Sequence, residues 1–153
     1  RSGPSGTSCW SYHGEELNYT PYIIRDFDIL KQLRTYGELN ILSYNTGKDV
    51  TDESIIPVEN IRGPILLIST EADTVWPSTE QAAHIVSDLQ EHDFPYEVKS
   101  LTYEKISHFA IPMRSNTWLL KLMFQSERQF PEECAAERTD LSEQAVDFIQ
   151  NHW

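Results

Sequence analysis

The sequence Gly63-Pro-Ile65-Leu-Leu-Ile68-Ser-Thr-Glu-Ala-Asp73-Thr-Val-Trp76-Pro-Ser78 decides the fold of this chain. Four consecutive apolar residues, Ile65 to Ile68, are typical of a strand whose two faces are both covered, as in a parallel sheet. Ser78, with Gln81 three residues later, predicts a capped helix that carries one apolar stripe. A second strand is predicted over 96–103. Strand, helix and strand in this order predict a βαβ unit with two parallel neighbouring strands.

Two residues with catalytic side chains follow these strands. Asp73 lies just past the first strand and His108 just past the second. Because the carboxyl ends of parallel strands share one edge of a sheet, we expect the two side chains to be adjacent there. An acid followed by a histidine is the order of the last two members of the Ser–Asp–His triad in α/β-hydrolases. The alternative is structural: Asp73 caps the following turn, and His108 is hydrogen-bonded at the domain edge.

The nucleophile of such a triad is missing from the sequence. A Gly-x-Ser-x-Gly elbow between a strand and a helix does not occur. The nearest match, residues 3–7, has no predicted strand before it and no helix after it, and Cys9 also lacks an elbow. We therefore expect the chain to be a fragment of a longer enzyme, inactive by itself.

Composition excludes several classes of protein. With 153 residues, 39% hydrophobic residues and a net charge of −12, the chain predicts one soluble domain over 1–153 whose surface would repel nucleic acid and anionic membranes. It contains no apolar run of the roughly 20 residues that span a bilayer. Two distant cysteines favour a reducing cytoplasm, and neither a metal site nor a cofactor motif is found.

Outside the βαβ unit, the pattern predicts three more helices. The first runs from about Tyr22 to Tyr36 and ends at Gly37, with an apolar stripe of Ile23, Phe27, Leu30 and Leu33. An apolar helix is expected at Trp118–Phe124, followed by a polar stretch over 125–139. A last helix is expected to start at Asp140, which would cap it together with Glu143. The predicted fold class is α/β: a three-layer, partial α/β-hydrolase fold whose short parallel sheet is flanked by helices.

Several of these motifs resemble one known family. The leader Ile56-Pro-Val-Glu59, the buried strand, Asp73-x-x-Trp76-Pro-Ser78 and Ser107-His108-Phe109 are similar to the C-terminal region of the acyl-CoA thioester hydrolase / bile acid-CoA:amino acid N-acyltransferase family. Weaker likenesses over 9–19 and 126–138 extend the resemblance to most of the chain. The resemblance implies an α/β-hydrolase fold and an activity on acyl thioesters.

The resemblance assigns roles to individual residues. Asp73 matches the triad acid and His108 the general base, while the nucleophile would come from sequence before Arg1. Trp76, Trp10 and Tyr12 are candidates for lining the substrate pocket, although aromatic side chains also serve as ordinary packing. The acceptor, water or an amine, stays open.

Two other interpretations remain. Another α/β-hydrolase, of the dienelactone hydrolase or serine peptidase type, would carry the same Asp and His loops. A non-catalytic interaction module could instead bind a partner through an open strand edge. We also expect self-association, as a homo-oligomer, through apolar surface that a partial sheet would leave uncovered.

Overall fold

The computed structural model describes residues 11–16, 28–42, 55–110 and 117–152, and all structural statements concern these ranges. Helices follow and separate two pairs of short strands. In chain order the elements are β1 (Ser11–Tyr12), β2 (Glu15–Glu16), α1 (Ile29–Tyr36), a 3-10 turn (Val58–Asn60), β3 (Ile65–Thr70), α2 (Ser78–Glu91), β4 (Val98–Tyr103), α3 (Thr117–Met123), α4 (Gln125–Gln129) and α5 (Pro131–His152).

The predicted βαβ unit is present. β3 and β4 pair in parallel, with Ile65 opposite Val98 and Thr70 opposite Tyr103. α2 makes the crossover between them, as one helix must when two parallel neighbours are joined. The α/β class is therefore confirmed. Within the described ranges the parallel sheet has two strands, and the three-layer hydrolase arrangement stays a prediction.

The prediction that both faces of β3 are covered is wrong for its apolar run. Ile65 to Leu67 are half-buried and Ile68 is exposed, whereas Ser69 and Thr70 are buried. Among the described helices, α2 makes the extensive contact with β3, so that the other face of the strand has less cover. The strand is best enclosed at its C-terminal end. Large apolar side chains are also exposed elsewhere, but self-association stays a prediction.

The first predicted helix begins later than expected. Asp28 is extended, and its Oδ1 accepts the N–H groups of Leu30 and Lys31 at 2.8 and 3.2 Å, so Asp28 is the N-cap of α1. The predicted apolar stripe is also wrong at Leu30, which is exposed, while Gln32 is buried. Gln32 is buried where an apolar residue was expected, because its Oε1 accepts the N–H of Asn40, which follows the helix. Ile23 and Phe27 lie outside the described residues.

Gly37 ends α1 as predicted, in the left-handed conformation with φ of 72°. We expect Gly37→Ala to lower the free energy of unfolding by about 1–2 kcal/mol, because a Cβ is disfavoured at this φ. The new Cβ would also lie 2.9 Å from Nε2 of Gln125, and so displace the amide that donates to the Tyr36 carbonyl. Urea denaturation measures the loss.

Gly63→Ala is the matched control for this substitution. Gly63 has no positive φ, and a Cβ added there meets no atom within 4 Å. Its stability should change by less than about 0.5 kcal/mol. Equal stabilities of the two variants would contradict the left-handed cap.

The start of α2 is at the expected residue, but its capping differs from the prediction. Pro77 occupies the N-cap position, and no side chain caps the helix. The Ser78 hydroxyl instead faces the end of β3, where it lies 3.2 Å from the N–H of Thr70 and 3.3 Å from its carbonyl. Ser78 therefore joins the helix start to the strand end. The predicted apolar stripe of α2 consists of Ala82, Ile85, Val86 and Leu89. It is confirmed, since its first and last residues are buried and the other two are half-buried.

The C-terminal region is more helical than predicted. α3 covers the apolar segment, although Trp118 is exposed. The predicted polar stretch contains α4 and the first turns of α5, and Asp140 lies inside α5 rather than at its start. The prediction fails because Pro131 is pre-set for a first helical position and two glutamates follow in the first turn. The side chain of Asp140 accepts the hydroxyl of Tyr103 at 2.8 Å.

The buried face of α5 packs against the loop after β4. Cys134, Leu141 and Phe148 are buried at intervals of seven residues. Cys134 and Leu141 form one apolar cluster with Tyr103 and Ile106. This contact places α5 beside the segment that carries His108.

Candidate active site

Asp73 and His108 lie in direct contact. Nδ1 of His108 is 3.1 Å from Oδ1 and 3.0 Å from Oδ2 of Asp73. Asp73 follows β3 and His108 follows β4, so the parallel pairing brings both loops to one edge of the sheet. The adjacency expected from the crossover is thus observed, while the catalytic roles of the two residues stay a prediction.

Asp73 is held from several directions. Its side chain is 4% exposed, and Oδ1 accepts the backbone N–H groups of Val75 and Trp76 at 2.9 Å each. The carboxylate therefore caps the following turn, as the structural alternative stated, and also binds His108. A buried carboxylate is stable when its oxygens receive such donors, because these bonds replace lost water. The turn thus fixes the direction of Oδ2 towards the imidazole.

His108 offers one ring nitrogen for chemistry. Its side chain is 37% exposed, and Nε2 has no hydrogen-bond partner among the described residues. Because Nδ1 faces a carboxylate, the proton of a neutral ring belongs on Nδ1, which leaves the lone pair on Nε2. Phe109 packs edge-on against the ring, with 5.6 Å between the centroids. The arrangement suits a base that accepts a proton at Nε2.

The loop from β4 to His108 is anchored by α5 and β3. The Glu137 carboxylate accepts the backbone N–H groups of Glu104, Lys105 and Ile106, at 2.8–3.2 Å. Thr70, at the end of β3, donates its hydroxyl to the Ile106 carbonyl. Glu137 was not predicted as an anchor of this loop, since the pattern around it indicates only a polar stretch. The spacing of seven residues between Cys134, Leu141 and Phe148 was a signal in the sequence for a longer helix through this segment.

Only one of the three predicted pocket residues can be placed. Trp76 is 38% exposed and lines an open cleft of about 340 Å³ together with Asp73, Thr70 and Ser78. His108 does not line this cleft. Trp10 lies outside the described residues. Tyr12 is part of β1, but its side chain is outside what the structure describes. Whether these aromatic residues bind substrate stays a prediction.

Several groups near the pair are poor nucleophiles. Ser107 is fully buried, although it precedes His108. Cys134 is also fully buried, and burial together with the charge of Glu127 raises the pKa of its thiol to about 11. A buried, protonated thiol is inert. Cys9 and Ser5 lie outside the described residues.

The described ranges contain no cluster of three or more His, Cys, Asp or Glu side chains that could bind a metal ion. They also contain no helix with the length and apolarity that crossing a membrane requires.

Comparison with known protein families gives a match over most of the chain. The family described as BAAT / Acyl-CoA thioester hydrolase C terminal matches residues 15–117, which include both Asp73 and His108. No curated protein and no solved structure gives a significant match to the chain.

Proposed function

We propose that this chain, which belongs to the BAAT / acyl-CoA thioester hydrolase C-terminal family, supplies the acid and the base of a centre that cleaves acyl thioesters. His108 is the general base and Asp73 is the residue that orients it. The nucleophile is a Ser or Cys in an elbow motif that these 153 residues do not contain. The hydrolase-type arrangement of the whole enzyme is part of the proposal.

The contact between His108 and Asp73 carries this proposal. A base in a triad needs one nitrogen fixed by a carboxylate and the other open to the nucleophile. Nδ1 of His108 lies 3.0 Å from Asp73, and Nε2 is open within the described residues. The half-exposed imidazole and the buried acid are what such an arrangement requires.

The proposed reaction has two steps. Nε2 of His108 takes the proton of the nucleophile as it attacks the thioester carbonyl, and the imidazolium then protonates the departing thiolate. The acyl group is now bound to the nucleophile. Water or an amine attacks this acyl-enzyme, with His108 again as the base, and releases a carboxylic acid or an amide. Asp73 stabilises the imidazolium in both steps.

The cleft beside Asp73 is the proposed position for part of the substrate. Its wall combines the Trp76 ring with the polar side chains of Thr70 and Ser78. An apolar ring beside a few polar groups is common in small-molecule sites. We propose that Trp76 contacts the acyl group, and that Trp10 and Tyr12 extend the same surface.

A non-catalytic role is the second candidate, because the sequence lacks the elbow motif. The two candidates make different predictions for two polypeptides. One is residues 1–153 alone. The other, called the joined polypeptide, carries a strand, a nucleophile elbow and a helix before residues 1–153. Under our proposal, residues 1–153 alone release no CoA from acyl-CoA above the uncatalysed rate. The joined polypeptide does, with kcat/KM at least about tenfold higher than for an oxygen ester or amide of the same acyl group.

Release of free CoA thiol measures this difference. His84→Ala is the control variant, since this histidine of α2 is exposed and pairs with Glu80 on its own helix. Its activity should equal that of the unmodified polypeptide. A joined polypeptide that is inactive on acyl-CoA, or that prefers an ester or a peptide, would contradict the proposal and favour the non-catalytic or another hydrolase function.

A further inference from the structure

A buried ion pair lies behind His108. The Arg138 guanidinium of α5 binds both carboxylate oxygens of Glu127 in α4, with Nη1 at 3.0 Å from Oε2 and Nη2 against Oε1. The two side chains are only 11% and 5% exposed. Both residues lie outside the range 15–117 that the family model matches.

The ion pair binds the backbone on both sides of His108. Oε1 of Glu127 accepts the N–H of Ser107 at 3.1 Å. Nε and Nη2 of Arg138 both lie 3.3 Å from the carbonyl oxygen of Phe109, to which they donate. The residue before the histidine and the residue after it are thus attached to one rigid, charged unit.

Such a pair is poorly explained by stability alone. Removing two charges from water costs about as much as their attraction returns, and apolar side chains of similar size often stabilise a protein as well. What an apolar replacement cannot do is hydrogen-bond the Ser107 N–H and the Phe109 carbonyl together. The pair therefore fixes the orientation of this backbone and does more than stabilise the fold.

The charge on Glu127 persists in its buried site. Burial by itself opposes ionisation, but hydrogen bonds from Arg138 and Ser107 outweigh it and hold the pKa of Glu127 below its usual value. The carboxylate is therefore an acceptor for the Ser107 N–H at neutral pH. Glu137 accepts three further N–H groups of the same loop, on the side nearer to β4.

We propose that the Glu127–Arg138 pair is a positioning device for His108, which holds residues 107–109 so that Nδ1 meets Asp73 and Nε2 faces the reacting group. The positioning stands on the geometry of this chain. Its catalytic consequence rests on the proposed function.

The test uses the 153-residue chain and needs no activity. Long-range ¹H–¹⁵N NMR of the His108 ring reports which nitrogen carries the proton. In the unmodified chain we expect one tautomer, protonated on Nδ1. Arg138→Lys keeps the charge but cannot bind Glu127 and Phe109 in the same way, and Glu127→Gln keeps an acceptor for Ser107 but loses the ion pair. We expect both variants to show mixed tautomers and faster amide exchange at Ser107.

Phe148→Leu is the matched control, because Phe148 is buried on α5 but does not belong to the apolar cluster that contains Ile106. It should leave the His108 ring signals unchanged at a similar loss of Tm. Unchanged ring signals in Arg138→Lys and Glu127→Gln would overturn the proposal, and so would equal changes in all three variants. Glu127→Gln is nearly isosteric, so it provides an answer even if Arg138→Lys does not fold.

The catalytic part has its own readout in the joined polypeptide. There Glu127→Gln is expected to lower kcat about 10–100-fold with little change in KM, as small misplacements of catalytic groups do. If the His108 ring has the expected single tautomer but the joined polypeptide is inactive, the proposed function is refuted and the positioning role is not. A normal kcat in Glu127→Gln, with active unmodified polypeptide, would refute the positioning alone.

Discussion

Replacing His108 by alanine is expected to lower kcat for acyl-CoA cleavage about 10⁴-fold in the polypeptide that joins this chain to an elbow nucleophile. The variant lacks the base that deprotonates the nucleophile and the acid that protonates the departing thiolate. KM should change little, because the ring acts on protons in the transition state rather than on the bound thioester. The rate of CoA thiol release at saturating acyl-CoA measures the effect.

The loss should be specific to this histidine. His92→Ala, at the end of α2, is a suitable comparison, since the ring of His92 is exposed and its hydrogen bond is to Asp88 of the same helix. We expect unchanged kcat there. Retention of more than about one tenth of the activity in His108→Ala would remove the general base from the mechanism.

Asp73→Asn is expected to lower kcat about 10³–10⁴-fold. The amide oxygen can still accept the N–H groups of Val75 and Trp76, so the turn should persist. The amide nitrogen would then face Nδ1 of His108 and donate to it, which places the ring proton on Nε2 and removes the lone pair that serves as the base. A neutral amide also fails to stabilise the imidazolium.

Asp88→Asn is the matched control for this change. Asp88 is a partly exposed carboxylate of α2, and it too lies beside a histidine, at 3.5 Å from Nδ1 of His92. Its replacement should leave kcat and KM unaltered. If Asp73→Asn behaved like this control, Asp73 would be a turn-capping residue and no more.

The sequence predicts the centre of this fold well, for local reasons. An apolar run, a periodic helix and a second strand must form a right-handed crossover, and that crossover alone brings Asp73 and His108 to the same edge. Their adjacency could therefore be predicted without the rest of the chain, whereas the hydrogen bonds that hold the loop around His108 come from α4 and α5. The order of an acid and a histidine after two strands, together with the family resemblance, predicts their roles in catalysis, and these roles stay a prediction.

The C-terminal third was harder to predict because its polar residues are used in tertiary contacts. Asp140 and Glu143 satisfy a capping pattern, yet Tyr103 binds Asp140 inside a longer helix. Glu127 and Arg138 resemble surface charges in sequence, but they are buried against residues 107–109. Such pairs cannot be recognised from spacing, since their partners lie 20 or more residues away along the chain.

The most direct measurement is a double-mutant cycle on Asp73 and His108, with kcat for acyl-CoA cleavage as the readout. Residues of one triad act as a unit, so their losses do not add. If these two are the acid and base of one centre, Asp73→Asn should cause no further loss once His108 is alanine. Additive losses would contradict this, because they would mean that the two residues contribute independently and that their 3.0 Å contact serves the fold alone.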